Sequence, residues 1–338
     1  MTSFDLPPEK LGEYAGSSPR PADHASYWAD ALAELGKVDP EARFVRQAHP
    51  AAGVECFDLT FWGVRGARVH AKYVRPRSHD QECPAVLMFH GYGASSGDWF
   101  DKLPYAAQGY CVAALDCRGQ GGTSQDAGVT DGTTLGGHII RGLDDGPGNL
   151  LYRHIFLDCA QLARIVMALP EVDAGRVGVT GASQGGGLAV ACAALDPRIR
   201  RLAVTYPFLS DYRRVWDMDL ANQDAYQQIA TYFRRHDPLH ERQEVIFERL
   251  GYIDVQHLAG RITAEVLFTI GMQDTVCPPS TQYAVYNKIR SAKRLRIYPD
   301  FGHEPLPGLA DAIFAFMADL QHAPPVPGAD VPAQGSMT

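Results

Sequence analysis

No stretch of this chain approaches the ~18 consecutive apolar residues of a membrane-spanning helix, so no membrane partner is expected. It also lacks a Lys/Arg-rich run. Its 31 basic residues against 39 acidic ones leave a formal charge of −8, a balance unsuited to phosphate backbones, and no nucleic-acid partner is expected. The cysteines, at 56, 83, 111, 117, 159, 192 and 277, contain no CxxC pair. An odd, scattered set of this kind excludes a disulfide framework, and members such as Cys111 and Cys192 lie inside apolar runs. They read as small buried hydrophobes in a reducing compartment. Residues 1–10 lack a basic segment followed by an apolar one, so no secretory signal is expected and the cytoplasm is the default location. No His, Cys and carboxylate residues are spaced along the chain as a metal set, and His303-Glu304 is not part of an HExxH motif, so neither a metal nor a cofactor is expected. There is no internal repeat.

The composition that remains, 46% hydrophobic and 21% charged over 338 residues, is that of a soluble globular chain able to bury a large core. α/β enzymes of this length often form one domain. A helix is predicted near residues 22–36, and period-2 alternation in VECFDLTFWG and ARVHAKYVRP predicts half-buried antiparallel strands. From residue 84 the rhythm changes. Short apolar runs at 85–90, 110–115, 176–180, 201–206, 265–270 and 294–298 alternate with helical patterns, for example at 157–168, 187–195 and 280–289. Such runs mean a mostly parallel central sheet covered by helices on both faces. Residues 210–260 interrupt it with a helical, aromatic insertion too long for a simple connection, either a cap over a site or an interaction surface. Trp216, Tyr226 and Tyr232 are expected to bury there, against a partner subunit, over a site mouth or within the cap itself. The organisation expected is one domain over 1–325, with 1–80 as N-terminal decoration and a flexible Pro/Gly/Ala-rich tail at 326–338.

Gly181-Ala182-Ser183-Gln184-Gly185 follows directly on an apolar strand and opens a small-residue helix. This G-x-S-x-G context is a nucleophile elbow, in which glycines permit a strained turn that lifts the serine hydroxyl above the sheet. Gly93-Ala94-Ser95-Ser96-Gly97 matches the same pattern but lies beyond its strand with no packed helix after it, and reads as loop. An α/β-hydrolase fold places its acid and then its histidine after later strands. Asp274 follows the run ending near Gly271, and His303 follows the last strand; Asp300, on the same short loop as His303, is the weaker candidate acid. The expected chemistry is therefore serine carboxylester hydrolysis, with Ser183 as nucleophile, His303 as general base and Asp274 orienting it. Activity should fall as His303 protonates. His90-Gly91-Tyr92-Gly93 follows the first core strand, where this fold takes one oxyanion N–H, the other coming from the residue after the nucleophile. Those donors are the backbones of Tyr92 and Gln184, and His90 reads as a structural hydrogen bonder.

Arg118-Gly119-Gln120, the elbow at Ser183, Asp274 and His303-Glu304, in that order, resemble carbohydrate esterase family 7, the acetyl xylan esterases and cephalosporin C deacetylases. The resemblance runs through FDLTFWGVRGARVHAKYVRP, HGYGASSGDW, GHIIRGLDD, TYPFLSDYRR and MQDTVCPPST, and covers roughly residues 20–322. It implies an intracellular esterase acting on a small acetylated substrate such as a xylo-oligosaccharide or cephalosporin C. It also implies a homohexamer whose active sites open into a central chamber. It matches Ser183, Asp274 and His303 to the family's triad and Tyr92 and Gln184 to its oxyanion donors, and it puts Tyr92 and Val276 where the family lines its acyl pocket. Arg118 and Gln120 match a motif that, read from the residues, is a structural ion pair or loop brace. The alternatives are a broad-specificity carboxylesterase or a peptidase of the same fold. A dienelactone-type hydrolase would want Cys at 183, and a non-catalytic relative tends to lose a triad member.

Overall fold

The two alternating segments near the N-terminus pair as antiparallel strands, β2 (Val54–Trp62) and β3 (Arg68–Pro76), with Thr60 opposite His70. The structure, a computed structural model, describes residues 4–78, 81–131, 137–220 and 226–322. The tail expected to be flexible lies outside the described residues. A strand that the sequence did not announce, β1 (Arg43–Gln47), adds to the outer edge of β2. Its residues, RFVRQ, show no apolar alternation because neither face of it is fully buried.

The six apolar runs form β4 (Cys83–Phe89), β5 (Cys111–Leu115), β6 (Val172–Ala182), β7 (Arg201–Thr205), β8 (Glu265–Gly271) and β9 (Lys293–Tyr298). They are parallel to one another, while β3 joins β5 antiparallel. One nine-stranded sheet results, in the order β1-β2-β3-β5-β4-β6-β7-β8-β9. The first 80 residues are therefore more than decoration: three of their strands extend the central sheet.

Ten helices are described: α1 (Pro8–Leu11), α2 (His24–Leu35), α3 (Leu103–Ala106), α4 (Leu151–Met167), α5 (Gln184–Leu195), α6 (Tyr212–Asp217), α7 (Gln227–His236), α8 (Gln243–Gly251), α9 (Pro279–Tyr286) and α10 (Leu309–Ala318). Strand periodicity divides the core between the two faces of the sheet. Ala85, Leu87 and Phe89 of β4 point into the larger core with α4 and α5, whereas Val86 points the other way, with Val112, Ala203, Phe316 and Met317 beneath α10. Both faces being covered is why β4, β5, β7 and β8 read as continuous apolar runs, whereas β9, at the edge of the sheet, has no fully buried residue. Every residue of α5 is buried, as expected of a helix with no polar face to offer water.

The insertion folds as α6, α7 and α8. Tyr226, Tyr232 and Phe233 are buried within this chain, and half-buried Trp216 packs its ring on Phe233 at 4.7 Å. At about 1.5–3 kcal/mol for a large apolar side chain removed from water, burial of these rings stabilises the insertion. β4, β6, β8 and β9 all end on one rim of the sheet, and His90, Ser183, Asp274 and His303 follow those ends. Open parallel sheets carry their sites on that rim.

Candidate active site

Ser183 stands at φ 58°, ψ −123°, between β6 and α5. Positive φ in a residue with a Cβ costs on the order of 1–3 kcal/mol and persists only where the surroundings impose it. Here Ser183 N–H donates to Thr205 O (3.1 Å), while Ser183 O accepts from Phe208 N–H (2.9 Å) and Gly187 N–H (3.1 Å). The glycines are required by close approach. A Cβ on Gly181 would lie 2.2 Å from Gly185 O, and one on Gly185 would lie 2.0 Å from Phe89 O. Ser95 lies in the loop after β4, its hydroxyl accepting from Gly97 N–H.

The hydroxyl of Ser183 lies 2.9 Å from His303 Nε2, and His303 Nδ1 lies 2.8 Å from Asp274 Oδ2. Asp274 is fully buried, and its Oδ1 accepts from the N–H groups of Val276 (2.9 Å) and Cys277 (2.8 Å). An ionised carboxylate can only accept, so the network assigns the imidazole proton to Nδ1 and leaves Nε2 to accept from the serine. The Tyr206 ring packs on the His303 ring at a centroid distance of 4.5 Å, and its hydroxyl donates to Glu304 O. Asp300 is exposed and outside this chain of contacts. The N–H groups of Tyr92 and Gln184 have no acceptor among the described residues. For Gln184 this follows from its place in the first turn of α5, where no intrahelical acceptor exists. Val276 is half-buried and enters the site through its N–H on Asp274.

Against known proteins, the chain matches the sequence profile of the acetyl xylan esterase family (AXE1) over residues 1–320. The chain belongs to the acetyl xylan esterase family. It is a carboxylic ester hydrolase with the α/β-hydrolase fold. Acetyl xylan esterase 1 from Thermoanaerobacterium sp. JW/SL YS485 is 56% identical in sequence and superposes with a TM-score of 0.92, over 94% of this chain and 99% of that one. The acetyl xylan esterase from Paenibacillus sp. R4 is 34% identical, with a TM-score of 0.89 over 93% and 99% of the two chains. Acetyl esterase Axe7A of Xylanibacter ruminicola is 26% identical over 298 residues, 86% of this chain. This chain spans 65% of that relative's length.

Around the serine of this acetyl xylan esterase family member, a set of amides and rings braces the two N–H donors. Gln120 lies at the centre: its Oε1 accepts from Gly93 N–H (2.9 Å), one residue after Tyr92, and its Nε2 donates to Gln184 Oε1 (2.7 Å). The buried Tyr152 hydroxyl donates to the same Gln184 oxygen (2.7 Å). Gln120 is thus a loop brace joining the segments that carry the two N–H groups. Arg118 is a buried ion pair, with Nε at 2.5 Å and Nη2 at 2.7 Å from the two carboxylate oxygens of Asp158. His90 donates from Nδ1 to Gly91 O and accepts at Nε2 from Cys117 N–H, and burial lowers its pKa, so it is a neutral structural bonder.

Three contributors escaped the sequence reading. Gln228, on α7, accepts from Ile139 N–H (2.7 Å) and donates to the Tyr92 hydroxyl (2.6 Å). That hydroxyl then donates to His138 Nδ1 (3.1 Å), whose Nε2–H donates to Gly119 O. Burial lowers the pKa of His138, in keeping with the neutral tautomer that the contacts require. The cap is thereby tied to the loop that carries the Tyr92 N–H. The third is Cys277. Spacing along the chain suggested no metal set, yet folding brings donor atoms of Asp274, Cys277 and His303 within 4.8 Å of one another.

Proposed function

We propose that the protein hydrolyses acetyl esters of small substrates by a serine double displacement. The observation that carries this is the unbroken hydrogen-bonded chain from Ser183 through His303 to Asp274. Ser183 Oγ attacks the acetyl carbonyl while His303 Nε2 takes its proton, and the buried Asp274 carboxylate stabilises the imidazolium. The negative charge on the carbonyl oxygen is received by the N–H groups of Tyr92 and Gln184; removing one such donor costs about 2.7–4 kcal/mol of barrier stabilisation. The alcohol leaves with the proton from His303, and water repeats the sequence to release acetate. No cofactor enters these steps.

Acetylated xylo-oligosaccharides are the proposed substrates, supported by the names of the relatives; cephalosporin C-like esters present the same acetyl group and are included. Tyr92, held by Gln228 and His138 with its ring against Phe208 at 6.0 Å, supports a short acyl pocket, with Val276 as its proposed second wall. A cytoplasmic location is proposed because buried cysteines with no disulfide among the described residues suit a reducing compartment. A homohexamer is proposed on the family resemblance, and a sedimentation mass of one chain would remove it.

The test is labelling with an organofluorophosphonate, together with hydrolysis of p-nitrophenyl acetate, butyrate and octanoate by the wild type and Ser183→Ala. Labelling at Ser183, loss of turnover in the variant and preference for acetate are expected. An unlabelled Ser183, or preference for octanoate, overturns the proposal.

A further inference from the structure

We infer that the acid–base end of this site is also a binding site for one thiophilic divalent ion, Zn2+ or Cd2+, which switches the hydrolase off. Asp274, Cys277 and His303 offer a carboxylate oxygen, a sulfur and an imidazole nitrogen, all within 4.8 Å of one another. Oxygen, nitrogen and sulfur ligands at about 2.0–2.3 Å from a tetrahedral ion stand roughly 3.2–3.6 Å apart, so a pair at the 4.8 Å limit must close by about 1.2–1.6 Å. The nitrogen facing Asp274 is Nδ1, at 2.8 Å, and that pair must open by about half an ångström. Asp274 is already oriented by two N–H donors on Oδ1, the outer support that ligating carboxylates require. The imidazole keeps 21% exposure while the carboxylate has none, so the ion enters from the His303 side. One sulfur, one nitrogen and one carboxylate select a borderline or soft ion over Mg2+ or Ca2+, which prefer oxygen shells. A carboxylate and a thiolate together also neutralise its charge in a buried place.

The protons balance. The Cys277 S–H proton goes to solvent, the Nδ1 proton relocates to Nε2, and three bonds to the ion form, with one proton released for each ion bound. Nε2–H then faces Ser183 Oγ as a donor, so no group remains to accept the serine proton. Loss of turnover rests on the serine reading above; binding of the ion does not.

The test is a titration of the metal-free enzyme with Cd2+, followed by acetate release and by the ultraviolet thiolate-to-cadmium charge-transfer band. One band-forming site per chain is expected, with turnover lost in parallel, restored by EDTA and untouched by Mg2+. Cys277→Ala, compared with its own metal-free activity, should need at least about 100-fold more Cd2+ for half-inhibition, beyond the loss of an outer partner alone. Cys277→Ser, which keeps the side-chain volume, should also lack the band. Ser183→Ala should keep it, which separates this site from the role of the serine. No band in the wild type at saturating Cd2+, or inhibition unchanged in both Cys277 variants, overturns the inference.

Discussion

Asp274→Asn tests the proton assignment at the site, because the surrounding donors dictate how the carboxamide must sit. Oδ1 of Asp274 accepts two backbone N–H groups, at 2.9 and 2.8 Å. Turning the new NH2 toward them would leave two buried donors unpaired, at about 1–3 kcal/mol each. The carboxamide oxygen therefore takes that position, and the NH2 takes the place of Oδ2, 2.8 Å from His303 Nδ1. Facing a donor, Nδ1 must become the acceptor, and the imidazole proton moves to Nε2, opposite the serine hydroxyl at 2.9 Å. The base is then in the wrong tautomer while the geometry is intact. In a serine protease with the same three groups this change lowers kcat about 10⁴-fold, which is about 5.5 kcal/mol at 1.36 kcal/mol per factor of ten. The same loss in kcat is expected here, with KM and the thermal midpoint little changed, since the variant is nearly isosteric and removes a buried charge. The assay is the pre-steady-state burst and steady-state release of p-nitrophenol from the acetate ester, beside a circular-dichroism melt. A folded variant that keeps more than about one-tenth of the wild-type kcat would refute both the tautomer argument and the role given to His303.

Gln120→Ala removes the link between Gly93 N–H and the Gln184 side chain; kcat for p-nitrophenyl acetate should fall about 10-fold or more, short of the 10²–10³ lost with an oxyanion donor itself, and an unchanged kcat would count against the brace. Arg118→Ala leaves Asp158 buried without its cation and should cost about 3–5 kcal/mol in urea unfolding. Burial already raises the pKa of Asp158 against the pull of Arg118, so this deficit should shrink as pH falls and the carboxyl becomes neutral; a deficit independent of pH would contradict the assignment. His70→Gln is read through a different linkage. Burial opposes the charge on His70, but Asp116 on Nδ1 (2.7 Å) and Asp58 on Nε2 (3.2 Å) outweigh it and raise the pKa above 6.5. That stabilisation is complete below the unfolded-state value and is lost as pH rises through the raised folded value. The variant should therefore be destabilised more at mildly acid than at alkaline pH, and equal deficits in urea unfolding would show that His70 is not held charged.

What could be read from the chain alone was whatever depends on neighbours in sequence. The inner parallel strands announced themselves because burial on both faces makes them short apolar runs, and Ser183 because its turn is specified by glycines within two residues of it. Asp274 and His303 needed only the added knowledge that sites gather at strand ends. The misreadings share a cause in long-range pairing. The first 80 residues passed for decoration because the partner of β3 is β5, beyond β4 in the chain, and β1 gave no alternation because its surroundings do not bury one face. Cys277 was rightly read as a buried residue, but its company, a histidine from the next loop along the rim, is set only by the closure of β8 against β9. Gln228 is the instructive case, since a signal for it did exist. It lies on the buried stripe of α7 with Ile229, Tyr232 and Phe233, where an amide cannot remain without partners. Such a residue must find a donor and an acceptor inside the molecule. The backbone of Ile139 and the hydroxyl of Tyr92, 136 residues away, are what it finds. A polar side chain on an otherwise apolar helical stripe thus predicts a tether before any coordinates exist, though not its far end; here the far end is the residue whose N–H is proposed to hold the oxyanion.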